Sequence, residues 1–183
     1  MRVLETKRLL LKPVEAEDLS FLLNLRWDKE ITQNILHDPI SMEDQKQWYE
    51  KIRKGNNVVL SIFYKESEDD VTPSIIGTIG LFDITMRHQR ATLKSMRILP
   101  QYQGKNIGLE ATNLIVDYGF NVLNLNKITC DLFEDNIARL KGLLKLGFKK
   151  EGVLKQHYFH QGKFKDAAIY SLLRKNYALK ENL

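Results

Sequence analysis

Residue types and spacing come closest to chemistry in the segment Ile98–Leu109, ILPQYQGKNIGL. An apolar run stops at Pro100, a polar stretch holding Gly104 and Gly108 follows, and a helical pattern opens at Ile107. A strand–loop–helix turn of this kind converges successive backbone N–H groups at a helix N-terminus, where the helix dipole adds to their attraction for an anion. Gly104 and Gly108 let the backbone approach a ligand closely, and Lys105 adds a mobile positive charge. The residues Gln103, Gly104, Lys105, Asn106, Ile107 and Gly108 therefore read as a pyrophosphate cradle. They form neither a Walker A loop, since the GK[ST] triplet is missing, nor the dinucleotide pattern G-x-G-x-x-G. On spacing alone, a plain turn between strand and helix fits equally well.

A second set of side chains could move protons. Asp131 lies in the middle of an apolar stretch, between Cys130 and Leu132, and either faces a cleft or pairs with a neighbour. Glu134 and Asp135 follow at the end of that stretch, where capping the next helix is the competing role. His157, Tyr158 and His160 cluster before Gln161-Gly162. A histidine titrating near 6.5 is a plausible base, although a solvated hairpin tip accounts for the same residues. The four histidines are scattered without metal-ligand spacing, so no metal site is expected. The single cysteine, Cys130, excludes an internal disulfide and reads as a small core residue.

The elements that must position these groups follow from periodicity. Arg8–Val14 is a first strand, and leucines at 19, 22, 23 and 25 make Ala16–Trp27 a helix. Ser41 caps a second helix, with Asp44 three residues on and Trp48, Tyr49 and Ile52 on one face. Asn57–Tyr64 and Ile75–Asp83 are strands joined by the polar loop Lys65–Asp70, and Ala91–Leu99 is a fourth strand. An amphipathic helix then carries Ile107, Ala111, Leu114, Ile115, Tyr118 and Val122. Lys127–Phe133 is a fifth strand. Asp135 or Asn136 caps a helix ending at Gly147, and Phe148–Phe159 with Lys163–Leu173 close the chain as a hairpin. The order β α α β β β α β α β β contains one strand–helix–strand crossover among hairpins, hence a mixed α/β (α+β) fold.

Composition sets the bounds. At 183 residues, 43% hydrophobic and 28% charged, the chain is expected to be one domain, 1–183, with an ordinary buried core. No apolar run reaches the ~18–20 residues of a membrane span. No secretory leader is evident, so a cytoplasmic location is expected. The net charge of +5 is spread along the chain. It suits an anionic small molecule, and it lacks the concentrated basic stripe of a specific nucleic-acid binder.

PQYQGKNIGLEA resembles motif A of the GNAT N-acetyltransferases, [Q/R]-x-x-G-x-[G/A], with Gln103, Asn106 and Gly108 on its defined positions. Downstream, Asp135-Asn136-Ile137-Ala138 through Leu146-Gly147-Phe148 resembles that family's E-N-x-x-(A/S)…L-G-F block. Glu151-Gly152-Val153-Leu154 and Gln161–Asp166 are similar to the tail of a branch that includes ribosomal-protein N-terminal, spermidine and amino-sugar acetyltransferases. The resemblance covers nearly the whole chain. It implies a mixed, mostly antiparallel sheet of about seven strands with about four helices, the fourth and fifth strands splayed into a V.

It also implies acetyl-CoA. The backbone of Met96, Arg97 and Ile98 would pair with the pantetheine arm, the loop Gln103–Gly108 would hold the pyrophosphate, and Asn136 would contact pantetheine. Lys105, Lys145 or Lys149 would meet the nucleotide phosphates. The implied reaction is direct attack of a primary amine on the thioester in a ternary complex. The amine is a polyamine, an amino sugar or a protein N-terminus, and the protein is expected to be a homodimer. Glu30, Asp38, Glu43 and Asp44 would suit a polyamine, whereas a nucleotide sugar asks for basic groups. Leu143 stands where many members carry a proton-donating tyrosine, Arg139 where others carry serine, and the fourth strand lacks a common glutamate. The usual acid and base positions are therefore not matched. Glu134, Asp131 and His157 are the catalytic candidates, and a non-catalytic acyl-CoA-binding module is the alternative.

Overall fold

The structure is a computed structural model, and it describes residues 4–32 and 40–181. Asp38 lies outside the described residues. The first strands are β1 (Leu4–Glu5) and β2 (Leu9–Pro13). A 3-10 turn at Ala16–Asp18 leads into α1 (Leu19–Trp27), then α2 (Lys29–Thr32) and α3 (Met42–Lys54). Three strands follow, β3 (Val58–Tyr64), β4 (Ser74–Thr85) and β5 (Arg90–Ile98). Helix α4 (Ile107–Asn121) crosses over to β6 (Lys127–Phe133). The chain ends with α5 (Ile137–Lys145), β7 (Lys149–His160), β8 (Lys163–Leu173) and α6 (Arg174–Glu181).

The strands form one sheet in the order β1-β2-β3-β4-β5-β6-β8-β7. Every neighbouring pair is antiparallel except β5 and β6. The described residues hold eight strands and six α-helices where the sequence pattern gives about seven and about four. The additions are β1, α2 and α6, pieces too short or too polar to carry a periodic signal.

Alternation along the strands sorts the core into two layers. Leu60 and Ile62 of β3 join Ile79, Leu81, Leu93 and Ile98 under α4, whose Ile107, Ala111 and Ile115 are buried against them. Val59, the residue before Leu60, faces the other way and packs with Leu22, Leu25 and Tyr49 of α1 and α3. Capping fixes where these helices begin. Ser41 Oγ accepts from Asp44 N–H at 3.1 Å while Asp44 accepts from Ser41 N–H at 2.8 Å, a reciprocal box that opens α3. Asp18 accepts from the Ser61 hydroxyl at 2.6 Å and from Glu15 N–H at 3.0 Å, tying the start of α1 to β3.

Candidate active site

The site begins where the sheet comes apart. β5 and β6 pair only at Arg90–Lys127, Ala91–Ile128 and Thr92–Thr129. β5 then continues to Ile98 along β4, and β6 continues to Phe133 along β8. Thr129 marks the apex, its hydroxyl donating to the Ala91 carbonyl at 3.3 Å. β5 is bent by a bulge, since Thr78 faces Arg97 and Gly80 faces Lys94, leaving Ser95 and Met96 opposite one residue of β4. Ser95 takes φ 60° to make it. The bulge bends the strand away from β6 and leaves one edge of Leu93–Ile98 without a partner strand. A cavity of about 760 Å³ fills the V, lined by Leu93–Ile98 on one side and Cys130–Phe133 on the other.

The mouth of this cavity is the strand–loop–helix turn. Gln103 donates its side-chain amide to the Ile98 carbonyl at 3.0 Å and folds the loop back on β5. Gly104 sits at φ +75°, open on all sides, and Asn106 at φ 62° is the N-cap of α4. Asparagine is the side chain that best tolerates this left-handed backbone. The Asn106 side chain makes no capping bond, so the first-turn N–H groups of a 15-residue helix are left for an external acceptor. Glu110 in the same turn is held aside, accepting from the Thr6 hydroxyl and the Arg8 guanidinium. A cradle of amides with its nearest carboxylate neutralised suits a pyrophosphate, and the cavity behind it suits an extended arm.

Met96, Arg97, Ile98, Gln103, Gly104, Asn106, Ile107, Gly108 and Asn136 all line the cavity. Lys105 does not; its ammonium lies 5.7 Å from the centre of the Tyr102 ring. Asn136 caps α5, its side-chain carbonyl accepting from Arg139 N–H at 3.2 Å.

The three acid–base candidates are not brought together. Asp131 lines the cavity. Glu134 lies outside its lining, paired with Lys150 at 2.6 Å, and His157 is exposed against the Tyr158 ring. Tyr158 is the member of the last-hairpin cluster that turns inward, and its hydroxyl donates to Asp131 at 2.7 Å. Burial first, and then that bond to the carboxylate, push the phenol above its ordinary value. Just before Tyr158, β7 carries a wide bulge, where Leu154 pairs with Ala167 and Tyr158 with Lys165. The intervening residues are gathered on Asp166, which accepts from Lys155 at 2.7 Å and from Gln156 N–H at 2.8 Å.

Two residues named from the sequence, Arg139 for its position and Arg97 for its backbone, bring side chains into the cleft whose contacts the sequence did not show. Arg139 lines the cavity and donates to the Thr112 hydroxyl at 2.9 Å, while that hydroxyl donates to the Gly108 carbonyl at 2.6 Å. Arg139 also reaches the Cys130 thiol, which burial pushes up. Arg97 is the second. It is 6% exposed and its Nε has no hydrogen-bond partner among the described residues. Burial, then the neighbouring Arg26 charge, bring its guanidinium down to about 10.

Residues 8–149 match the family model described as the acetyltransferase (GNAT) domain. The uncharacterized N-acetyltransferase YoaA of Bacillus subtilis (strain 168) is 30% identical, over 94% of this chain and 97% of its own. The spermidine N(1)-acetyltransferase of Vibrio cholerae serotype O1 is 27% identical over 93% of this chain and 95% of its own. A crystal structure of spermidine N-acetyltransferase from Vibrio cholerae in complex with CoA and spermine superposes with a TM-score of 0.84. That pair is 26% identical, over 93% of this chain and 98% of the other.

Proposed function

The chain belongs to the GNAT acetyltransferases, and we propose how its cleft divides the work of acetyl transfer. The protein is an acetyl-CoA-dependent N-acetyltransferase. The observation that carries the assignment of roles is the parting of β5 from β6 after three residue pairs, with the uncapped start of α4 following the free end of β5.

In this reading the amides from Gln103 to Gly108 hold the pyrophosphate. The unpaired backbone edge of Met96, Arg97 and Ile98, with Asn136 opposite, receives the amide-bearing arm. Acetyl-CoA supplies an activated thioester whose breakdown puts negative charge on sulphur. The Arg139 guanidinium, fixed by Thr112, places positive charge in the cleft to favour that development. Tyr158 Oη accepts a proton from the attacking amine as its own proton passes to Asp131 Oδ2, the carboxylate it already faces at 2.7 Å. Orientation supplies most of the rate, roughly 7–11 kcal/mol for well-placed reactants, and a positioned proton acceptor adds about 10²–10⁴-fold.

The acceptor is a small primary amine, a reading supported by the spermidine acetyltransferases among the relatives. A single domain over 1–183 is supported by the continuous eight-stranded sheet. A homodimer is supported by Phe159 and Phe164, which are 63% and 66% exposed and meet edge to face near the tip of the last hairpin. Free-thiol release from acetyl-CoA tests the reaction against polyamines, amino sugars, amino acids and N-terminal peptides, with a thermal shift by CoA alone beside it. Turnover with at least one class is expected. CoA stabilisation without turnover in any class favours the binding-module alternative, and no CoA effect at all overturns the assignment of the cleft.

A further inference from the structure

Arg97 lines the cleft, is 6% exposed, and has no described carboxylate acting on it. Its electrostatic neighbour is another cation, Arg26 of α1, itself lying 5.2 Å from the Trp48 ring centre. A buried guanidinium without a counter-charge is costly to a fold, and a half-buried second cation such as Arg26 beside it adds to the cost. The acids on the same layer are engaged elsewhere. Asp18 serves Ser61 and Glu15 N–H, and Asp28 serves the N–H groups of Glu30 and Ile31. Glu30 lines the cavity on α2 and makes no ion pair with Arg97.

The face on which Arg97 sits separates it from the phosphate cradle. Ile98, the next residue, packs into the core under α4. Alternation puts Arg97 on the opposite face, where Arg26, Trp48 and Leu99 belong to the layer of α1 and α3. An anion bound there is not the pyrophosphate at the start of α4. It belongs to whatever enters the cleft from the α1–α2 side.

We infer that Arg97, assisted by Arg26, binds an anionic group of the acceptor, so that the preferred substrate is a primary amine carrying a carboxylate or phosphate rather than a polyamine. Two cations across one oxyanion allow charge-assisted hydrogen bonds of the kind that fix orientation as well as affinity. Glu30, lining the same cavity, supplies the opposite charge for an ammonium. The inference rests on the acetyltransferase reading of the cleft.

The test uses matched acceptors. Lysine is compared with cadaverine, phenylalanine with phenethylamine, and glucosamine 6-phosphate with glucosamine, in wild type, Arg97→Met and Arg26→Met. The amino acids and the sugar phosphate separate a carboxylate source from a phosphate source. Expected is a kcat/KM preference of at least ~30-fold for an anion-bearing member, lost in Arg97→Met. Alongside, melting is followed at saturating CoA with and without sulfate. Wild type should gain stability from sulfate beyond the gain of Arg97→Met, and Arg97→Met should itself melt higher than wild type without anion. Arg26→Met keeps the test open if the first variant folds poorly. Equal or better turnover of the decarboxylated amines overturns the inference. With no turnover anywhere, identical sulfate responses in wild type and both variants overturn it as well. The CoA-induced shift of wild type keeps the two failures apart: its absence would instead remove the acetyltransferase reading.

Discussion

Tyr158 and Asp131 illustrate how a single hydroxyl acquires a role. The phenol is turned into the cleft, its hydroxyl donates to a carboxylate, and burial favours its protonated form. Tyr158→Phe should lower kcat by about 10²-fold or more while leaving CoA affinity unchanged, measured as thiol release at saturating acetyl-CoA. Glu134→Gln and His157→Ala, outside the cavity lining, should stay within a few-fold of wild type. Asp131 was legible in the sequence as a carboxylate in an apolar stretch; its partner was not, because three residues of bulge separate Tyr158 from the pattern around it. Gln45 is a different kind of residue. It is fully buried on α3, and neither its amide nitrogen nor its carbonyl has a partner. Gln45→Leu removes two orphaned polar atoms at similar volume and should stabilise the fold by about 1 kcal/mol in urea unfolding.

At the scale of elements, the site is a strand end, a loop and a helix start held in one piece. Gln103 pins the loop to Ile98, Asn106 adopts the left-handed turn, and α4 begins without a side-chain cap. This unit was readable in advance because loop and helix signals are local: proline, glycine and the first apolar repeat fall within a dozen residues. Gly108 lies on the cradle, where a Cβ would meet only Ile98 Cδ1 at 3.5 Å. Gly108→Trp should therefore fold, with unchanged far-UV circular dichroism, yet lose the thermal shift given by CoA. Retention of that shift in a folded variant would remove the loop from the cofactor site. The bulge at Ser95 was not legible, since a serine at φ 60° leaves no compositional trace. Its physical reason is tertiary. The bulge is bounded by pairing with β4, where the Gly77 Cα lies so close to the Arg97 carbonyl that a Cβ there would come within 2.2 Å of it.

At the scale of the molecule, electrostatics sets a lower pH limit. Hydrogen bonds hold several carboxylates below their usual range: Asp166 by Lys155 and Gln156 N–H, Glu151 by Lys127 and Ser171, and Asp44 by Ser41. A carboxylate whose folded value is depressed contributes stability fully above its unfolded value of about 4 and loses it as pH falls through the folded value. The melting temperature should stay nearly level from neutral pH to about 5 and drop below about 4. The effect should be smaller in Asp166→Asn, which lacks one of these groups. The sequence by itself determined the order of strands and helices, the crossover through α4, the strand–loop–helix turn before it and the family, because each is written in short-range periodicity and turn chemistry. Tertiary structure decided which side chains share the cleft. It turned Tyr158 onto Asp131, sent Glu134 to Lys150, and left Arg97 buried beside Arg26. Those pairings join residues 16 or more positions apart, and the one extra residue in β5 reverses which face the side chains beyond it occupy.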